Sequence, residues 1–499
     1  MAKGMPREYV SKYREAILNG SIIPTFLRIG TPMLIVRLVQ DVYGLVDAFW
    51  LSRYSQFAVA VPRQVWPSYM LFIAFIMAFT SANLAIISQY AGAKMYHYIG
   101  ETASKMLFIS IVSSILSGLI FYFTAPYIFT YLVATPTEIY NDVVSYAHIM
   151  CFDILFLSIN MTLATLIQSL GDTKTVAISQ IIGSIANVFL DPIFIVGFGP
   201  IPSLGVAGAA IATVLSKVVS MSMLIYLLAR RYPDIGVRII SRVDKEYLFL
   251  AFRILLPLLV MNISNSLSFN LQNRLINTFG IIAATAFTIG FIVFELTNTS
   301  LWGLTEGIGI MVGQNLGAGN IDRAKKIARR TSIFIFATVT ATAAIVYLAR
   351  MEIASIFITG QNVPQHIVDE IYSEINKFIS LTIWTLAFFA LTFSAMAVGR
   401  GSGYTLMPTI INMVRLWGLR IGLGYLLALT FSLETLGIYI AFAVSNIIGG
   451  LLSILWIYIG TWAKPVIKEV RTQIPKPIEI KPIPITRQVN DSKQNKELE

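Results

Sequence analysis

Residues Pro24 to Trp50 read PTFLRIGTPMLIVRLVQDVYGLVDAFW. An apolar helix crosses a bilayer in about 20 residues, and this stretch is long enough to do so. It nonetheless carries Arg28, Arg37, Asp41 and Asp47. Arg28 can snorkel to the near interface, and Asp47 falls close to the far end. Arg37 and Asp41 fall near the middle, where a charge costs roughly 2.5–3.5 kcal/mol on the insertion scale. Such groups persist only where they face a wet cavity or a partner. Spaced i, i+4, the two can pair along one helical face. Two readings fit: a structural ion pair between helices, or part of the substrate or ion site that intramembrane ionisable groups mark by default.

Composition sets the class. Of 499 residues, 56% are hydrophobic and only 13% charged, and the mean hydropathy is +0.72. The apolar residues come in long continuous runs, which describe a polytopic all-α integral membrane protein and exclude a β-barrel with its alternating pattern. A single cysteine, Cys151, rules out an internal disulfide. The first apolar run is too long for a signal-peptide core, so an uncleaved span is expected.

About twelve spans follow from windowed hydropathy. They run roughly 24–50, 62–90, 103–126, 143–170, 175–198 and 205–229, then 248–278, 284–312, 328–349, 377–398, 405–430 and 435–462. The expected organisation is a lead over 1–23, a six-helix lobe over 24–230, a polar linker at 231–247, a second six-helix lobe over 248–462, and a tail over 463–499. The tail contains KPIEIKPIPIT at 476–486, whose proline repetition cannot build a core and predicts disorder.

Loop charges give orientation. Lys94, Lys105, Lys174, Arg230, Arg231, Arg238, Arg242, Lys245, Arg323, Lys325, Lys326, Arg329, Arg330 and Arg400 follow the even-numbered spans. The opposite loops hold only Arg53, Arg63, Arg350 and Lys377. The positive-inside rule then puts both termini in the cytoplasm of a cell-membrane protein. The net charge of +11 is thus a topology signal, and no nucleic-acid partner is expected.

The halves repeat. Gln89 and Gly92 match Gln314 and Gly317 at an offset of 225, which also takes Arg28 to Arg253 and Pro32 to Pro257. Near an offset of 230, LGDTKT at 170–175 meets RGSGYT at 400–405. Each unit holds an even number of spans, so the repeat is parallel, about an axis along the membrane normal. Two such lobes facing across a cleft suit a transporter.

Several motifs in order carry a family resemblance: VQDVYGLVDAFWL at 39–51, GDTKT at 171–175, ANVFLDPIFI at 186–195, LGVAGAAIAT at 204–213 and VGQNLGAG at 312–319. The chain resembles the multidrug and toxic compound extrusion (MATE) family, and its acid at Asp41 is closest to the archaeal and DinF-like branch. The resemblance implies an antiporter that expels amphipathic, often cationic, drug-like small molecules in exchange for H+ or Na+. A lipid-linked precursor flippase of the same superfamily is the alternative.

In the fifth span, Gln180, Ser184, Asn187 and Asp191 line one helical face, with Pro192 breaking the ladder beyond them. Oxygen donors at Asp41, Asn160, Asn187, Asp191 and Thr213 suit a hard cation or a proton relay equally. The resemblance points to Asp41, Asn187 and Asp191 as the coupling cluster, with Asn160 and Thr213 carried over beside them; a sodium ion would be held at Asp41, Asn187, Asp191 and Thr213. Arg37, where the family more often has a neutral residue, is positioned to modulate Asp41. The second lobe differs: Asp41 corresponds to Ser266, and its mid-membrane acid is Glu295, a second ion or substrate site or the salt-bridge partner of Arg415 or Arg420. Three scattered histidines and the lack of a nucleotide-binding loop argue against an enzyme or an ATP-driven pump. No cofactor beyond the coupling ion is expected, and a monomer in the lipid bilayer is.

Overall fold

The structure is a computed structural model describing residues 8–467 apart from 56, 134, 239, 241 and 357–363. The chain is helical because a bilayer offers no water to backbone groups, which must be paired within each span. A lead helix, α1 (Glu8–Asn19), precedes twelve long ones. They are α2 (Ile22–Tyr54), α3 (Ala60–Gly92), α4 (Tyr96–Leu132), α5 (Thr137–Ser169), α6 (Thr173–Ile195), α7 (Gly205–Arg231) and α8 (Lys245–Asn277). Then come α9 (Gly280–Gly317), α10 (Ile321–Leu348), α11 (Gln365–Ser402), α12 (Leu406–Thr430) and α13 (Glu434–Ile459). Among the described residues eleven of these are long and apolar enough to cross a membrane, and the 38-residue α9 completes two six-helix halves. Prolines 32, 67, 192 and 257 sit inside α2, α3, α6 and α8, each removing one ladder hydrogen bond.

The halves meet where α3 and α9 cross. A Cβ at Gly92 would lie 1.9 Å from the Gln314 carbonyl oxygen, and one at Gly317 would lie 1.9 Å from that of Gln89. The matched Gln-Gly motifs are therefore one contact seen twice. The glutamine side chains repeat the symmetry: Gln89 Nε2 donates to Ser402 O at 3.1 Å, and Gln314 Nε2 donates to Ser169 O at 2.8 Å. Thr173 Oγ1 donates to Ile29 O and Thr405 Oγ1 to Ile254 O, both at 2.7 Å. The threonine pair corrects the expected register of the later helices. The offset there is 232, taking Gly171 to Gly403 and Thr173 to Thr405, and both glycines have positive φ (93° and 81°). The turn geometry and the two threonine bonds, which a one-line match of Gly-rich residues overlooks, determine the pairing.

The lead and the start of the tail bind this same end. Arg14 Nη2 donates to Gly92 O at 2.6 Å, and Asn315 Nδ2 to Ile17 O at 3.3 Å. Val466 N donates to Gln89 Oε1 at 2.9 Å, and Ile467 is buried. The tail expected to be structureless therefore begins with a docked segment; the rest, from residue 468, lies outside the described residues.

Substitution tests the crossing. Overpacking a tight contact costs about 1–3 kcal/mol, so Gly317→Ala is expected to lower thermal stability in detergent by that order. Gly44→Ala, where nothing lies within 4 Å, is expected to leave it unchanged or raise it. Equal melting curves for Gly317→Ala and the parent would mean the two backbones do not touch.

Candidate functional site

The first half encloses a cavity of about 230 Å3 between α2, α5, α6 and α7. The polar stripe of α6 faces it through Gln180, Ser184 and Asn187, and one turn further Asp191 is fully buried. Asn187 Nδ2 donates to Asp191 Oδ1 at 3.2 Å. The remaining oxygens, Asn187 Oδ1 and Asp191 Oδ2, are buried without a hydrogen-bonding partner. So is Asp47 Oδ1 of α2, and Asp47 lies within electrostatic reach of Asp191. An unpaired buried acceptor costs about 1–3 kcal/mol, a cost that a proton or a hard cation would relieve. Nearby Asp153 is buried and accepts from Tyr69 Oη, and the Tyr146 hydroxyl lies within electrostatic reach of Asp47, Asp153 and Asp191.

The second half holds a larger cavity of about 580 Å3 between α3, α8, α9, α11, α12 and α13. Phe269, Phe291, Phe294, Phe389 and Met261 give it apolar walls. Asn262, Asn265, Glu295, Arg415 and Arg420 supply polar groups. Size and lining suit an organic ligand rather than a bare ion.

The MatE family profile matches residues 32–193 and 257–426, one match in each half. The chain belongs to the MatE family. It is 27% identical over 446 residues to the probable multidrug resistance protein YoeA of Bacillus subtilis (strain 168), covering 87% of this chain and 92% of that protein. It is 25% identical over 472 residues to the probable multidrug resistance protein NorM of Thermotoga maritima, covering 92% and 95%. A crystal structure of MATE in the bent conformation shares the fold with a TM-score of 0.80, at 21% identity over 91% of this chain and 98% of that one. MATE proteins are transporters, and this one is a multi-pass member.

Within this MATE chain the expected cluster is rearranged. Asn187 and Asp191 meet, and Asn160, 5% exposed, lines the same cavity. Asp41 does not join them. It pairs with Arg37 across 3.4 Å, and both lie within electrostatic reach of Glu295. The reason is helical phase: Gln40, Tyr43 and Asp47 share one face of α2, while Arg37 and Asp41 lie about 100° round it at 3.6 residues per turn. Gln40 and Tyr43 line the first-half cavity, so Asp47 rather than Asp41 is the α2 acid directed at Asp191. Thr213 is half-buried and its carbonyl accepts from Ser216 Oγ at 2.7 Å; of the expected sodium ligands Asp41, Asn187, Asp191 and Thr213, a hydrogen bond joins only Asn187 and Asp191 among the described residues. Glu295 accepts from Asn298 Nδ2 at 3.1 Å, and no ion pair among the described residues joins it to Arg415 or Arg420.

Sequence reasoning passed over Lys217 of α7, which lines the first-half cavity beside Asn187 and Ser216. A lysine in an apolar window was signal enough for it. Asp47 was read only as a charge near the far end of its span, and the Gln40-Tyr43-Asp47 spacing would have aimed it.

Asp47 is expected to matter as much as Asp191. In proteoliposomes, Asp47→Asn and Asp191→Asn should each bring gradient-driven transport down to the passive leak, with normal expression and melting. Full activity in Asp47→Asn would remove it from the site.

Proposed function

We propose that this chain is a secondary active efflux transporter that exchanges amphipathic organic molecules for H+ or Na+ by alternating access. The observation that carries the reading is the separation of two unlike sites in two repeated halves. One is small and rich in unpaired carboxylate and amide oxygens; the other is large and mostly apolar. A small ion occupies the first and the organic cargo the second. The YoeA and NorM proteins named above are described as probable multidrug resistance proteins, which supports a drug-like cargo.

The lobes run over 24–230 and 248–462, joined by the segment 231–247. The basic loop residues support placing the crossing of α3 and α9 on the cytoplasmic side, with both termini there, in a cell membrane. In that orientation the contacts of Gly92 with Gln314 and of Gly317 with Gln89 would close the cytoplasmic end between the lobes. Arg37 and Asp41, facing Glu295 across the cleft, modulate the passage between the two sites.

Two measurements test this. Purified protein in proteoliposomes should move an amphipathic fluorescent dye against its gradient when a proton or sodium gradient is imposed, following one of the two ions. Identical flux with and without a gradient would leave a passive channel. Separately, single cysteines at Lys94 and Lys325, in a background lacking Cys151, should react with a membrane-impermeant maleimide only from the cytoplasmic side. Labelling of either from outside intact cells would invert the proposed topology.

A further inference from the structure

The second-half cavity carries two guanidinium groups that form no ion pair among the described residues. Arg415 is 4% exposed. Its Nε and Nη2 donate to Asn412 Oδ1 at 3.1 and 2.8 Å, and its Nη1 to Asn446 Oδ1 at 3.3 Å. Arg420 donates through Nε to Ser445 Oγ at 3.2 Å and through Nη2 to Asn446 Oδ1 at 2.7 Å. Neither has a carboxylate within 4 Å among the described residues. An arginine stays charged in a protein, and a buried charge is ordinarily paired. Here every acceptor is neutral.

The local backbone builds this arrangement. In an α-helix residues five apart stand about 140° round the axis. Val414–Gly422 instead winds as a π-helix, whose i→i+5 bonding brings residues five apart back towards one face, and such turns cluster at functional sites. Arg415 and Arg420 thereby converge on one acceptor, Asn446. Gly449 makes the room: a Cβ there would lie 2.6 Å from Arg415 Cδ. Each guanidinium also rests on a ring, Arg415 4.7 Å from the centroid of Phe389 and Arg420 3.8 Å from that of Phe442.

The donor count leaves capacity over. A guanidinium has five N–H donors in a fork that matches an oxyanion. Arg415 uses three in the bonds above and Arg420 two, and Arg420 Nη1 makes no hydrogen bond among the described residues. Arg400, the other arginine on the cavity wall, is already paired with Glu306 at 2.9 Å. Glu295 is the one acid on the wall, held by Asn298 on α9.

We propose that the second-half cavity binds an amphipathic organic anion, its oxyanion held between Arg415 and Arg420 and its apolar body against the phenylalanine wall. This names a cargo class for the efflux reading above and rests on it; the family resemblance implies cationic cargo, and these two arginines select the opposite sign.

The test is equilibrium binding to the full chain in detergent, with carboxyfluorescein as the anion and rhodamine 123 as a cation on the same ring system. Charge-assisted contacts predict that the anion binds at least about tenfold more tightly. Arg420→Gln should weaken it by a similar factor. Arg415→Gln risks misfolding, so Asn446→Asp is the decisive variant: it sets a carboxylate where both arginines already donate, which keeps them paired yet should abolish anion binding. Naphthoate and naphthyl phosphate are both expected to displace the dye, and their ranking separates carboxylate from phosphate cargo. Tighter binding of the cation, unchanged affinity in a well-folded Asn446→Asp protein, or displacement by neither naphthyl anion would each overturn the proposal. Driven flux of rhodamine without anion binding would sink the proposal and leave the efflux reading standing. Anion binding without driven flux would do the reverse.

Discussion

Two backbones touch at Gly92 and Gly317, and the rest of the molecule is arranged around that contact. Lipid tails are as apolar as leucine, so no hydrophobic force pulls two spans together inside a bilayer. Close approach of small residues, and polar bonds across the gap, must do it. The crossing of α3 and α9 supplies both, since the residue each glycine packs against is a glutamine whose side chain bonds to the opposite half. The lead helix and residues 464–467 then bind the groups that this crossing leaves over, Gly92 O and Gln89 Oε1. One end of the pair of lobes is thereby fastened from four segments. The second-half cavity is lined in part by both of these helices, and the first-half cavity by α2, α5, α6 and α7.

The same repeat that makes the lobes alike in outline lets them differ in charge. At the corrected offset of 232, Gly183 of α6 takes the place of Arg415 of α12. In the first half a Cβ at Gly183 would meet Ser220 Cβ of α7 at 2.8 Å; in the second the side chain of Arg415 fills the space left by Gly449 of α13. A small residue is needed at such a crossing, and each half places it on a different helix. The first half thus has room for small polar groups and unpaired acids, with Lys217 on its wall. The second has a fixed cation at the same level. Among the described residues each half leaves charged groups with no ion-pair partner in a medium where that is costly: Asp47 and Asp191 in the first, Arg415 and Arg420 in the second, opposite in sign. A transporter that couples an ion to a cargo needs two such incomplete sites, because a site already satisfied by the protein has nothing to exchange.

Much of this was legible in the amino-acid order. Long apolar runs define the spans, since few other patterns survive at that length, and the Gln-Gly match at an offset of 225 locates the lobe contact. What escaped depended on phase and turn geometry. Asp41 attracted attention as the most central acid, yet depth along a helix says nothing about direction round it. Gln40, Tyr43 and Asp47 share the face that looks into the first-half cavity. The second-half register slipped by two residues because matching letters in RGSGYT outweighed the positive-φ glycine, whose role appears only once Thr405 is seen bonding to Ile254 O. The π-helical winding of α12 has no plain sequence signal, so Arg415 and Arg420, about 140° apart on an ideal helix, did not read as neighbours.

The position of Arg37 and Asp41 follows from the same logic. They face neither cavity's interior as a ligand set; they pair with each other, half exposed, beside Glu295 on the helix opposite. A pair that spends its charges internally can be held mid-membrane without a bound ion. It also places a carboxylate and a guanidinium on α2, the helix whose other face carries Asp47 towards Asp191. In the efflux reading proposed above, uptake or loss of a cation by the first-half set would change the load on Asp47, and α2 would carry that change towards Glu295 and the second-half wall. A single helix with two polar faces would then join the two proposed sites, a reason for an intramembrane charge pair to be retained though neither member is a ligand.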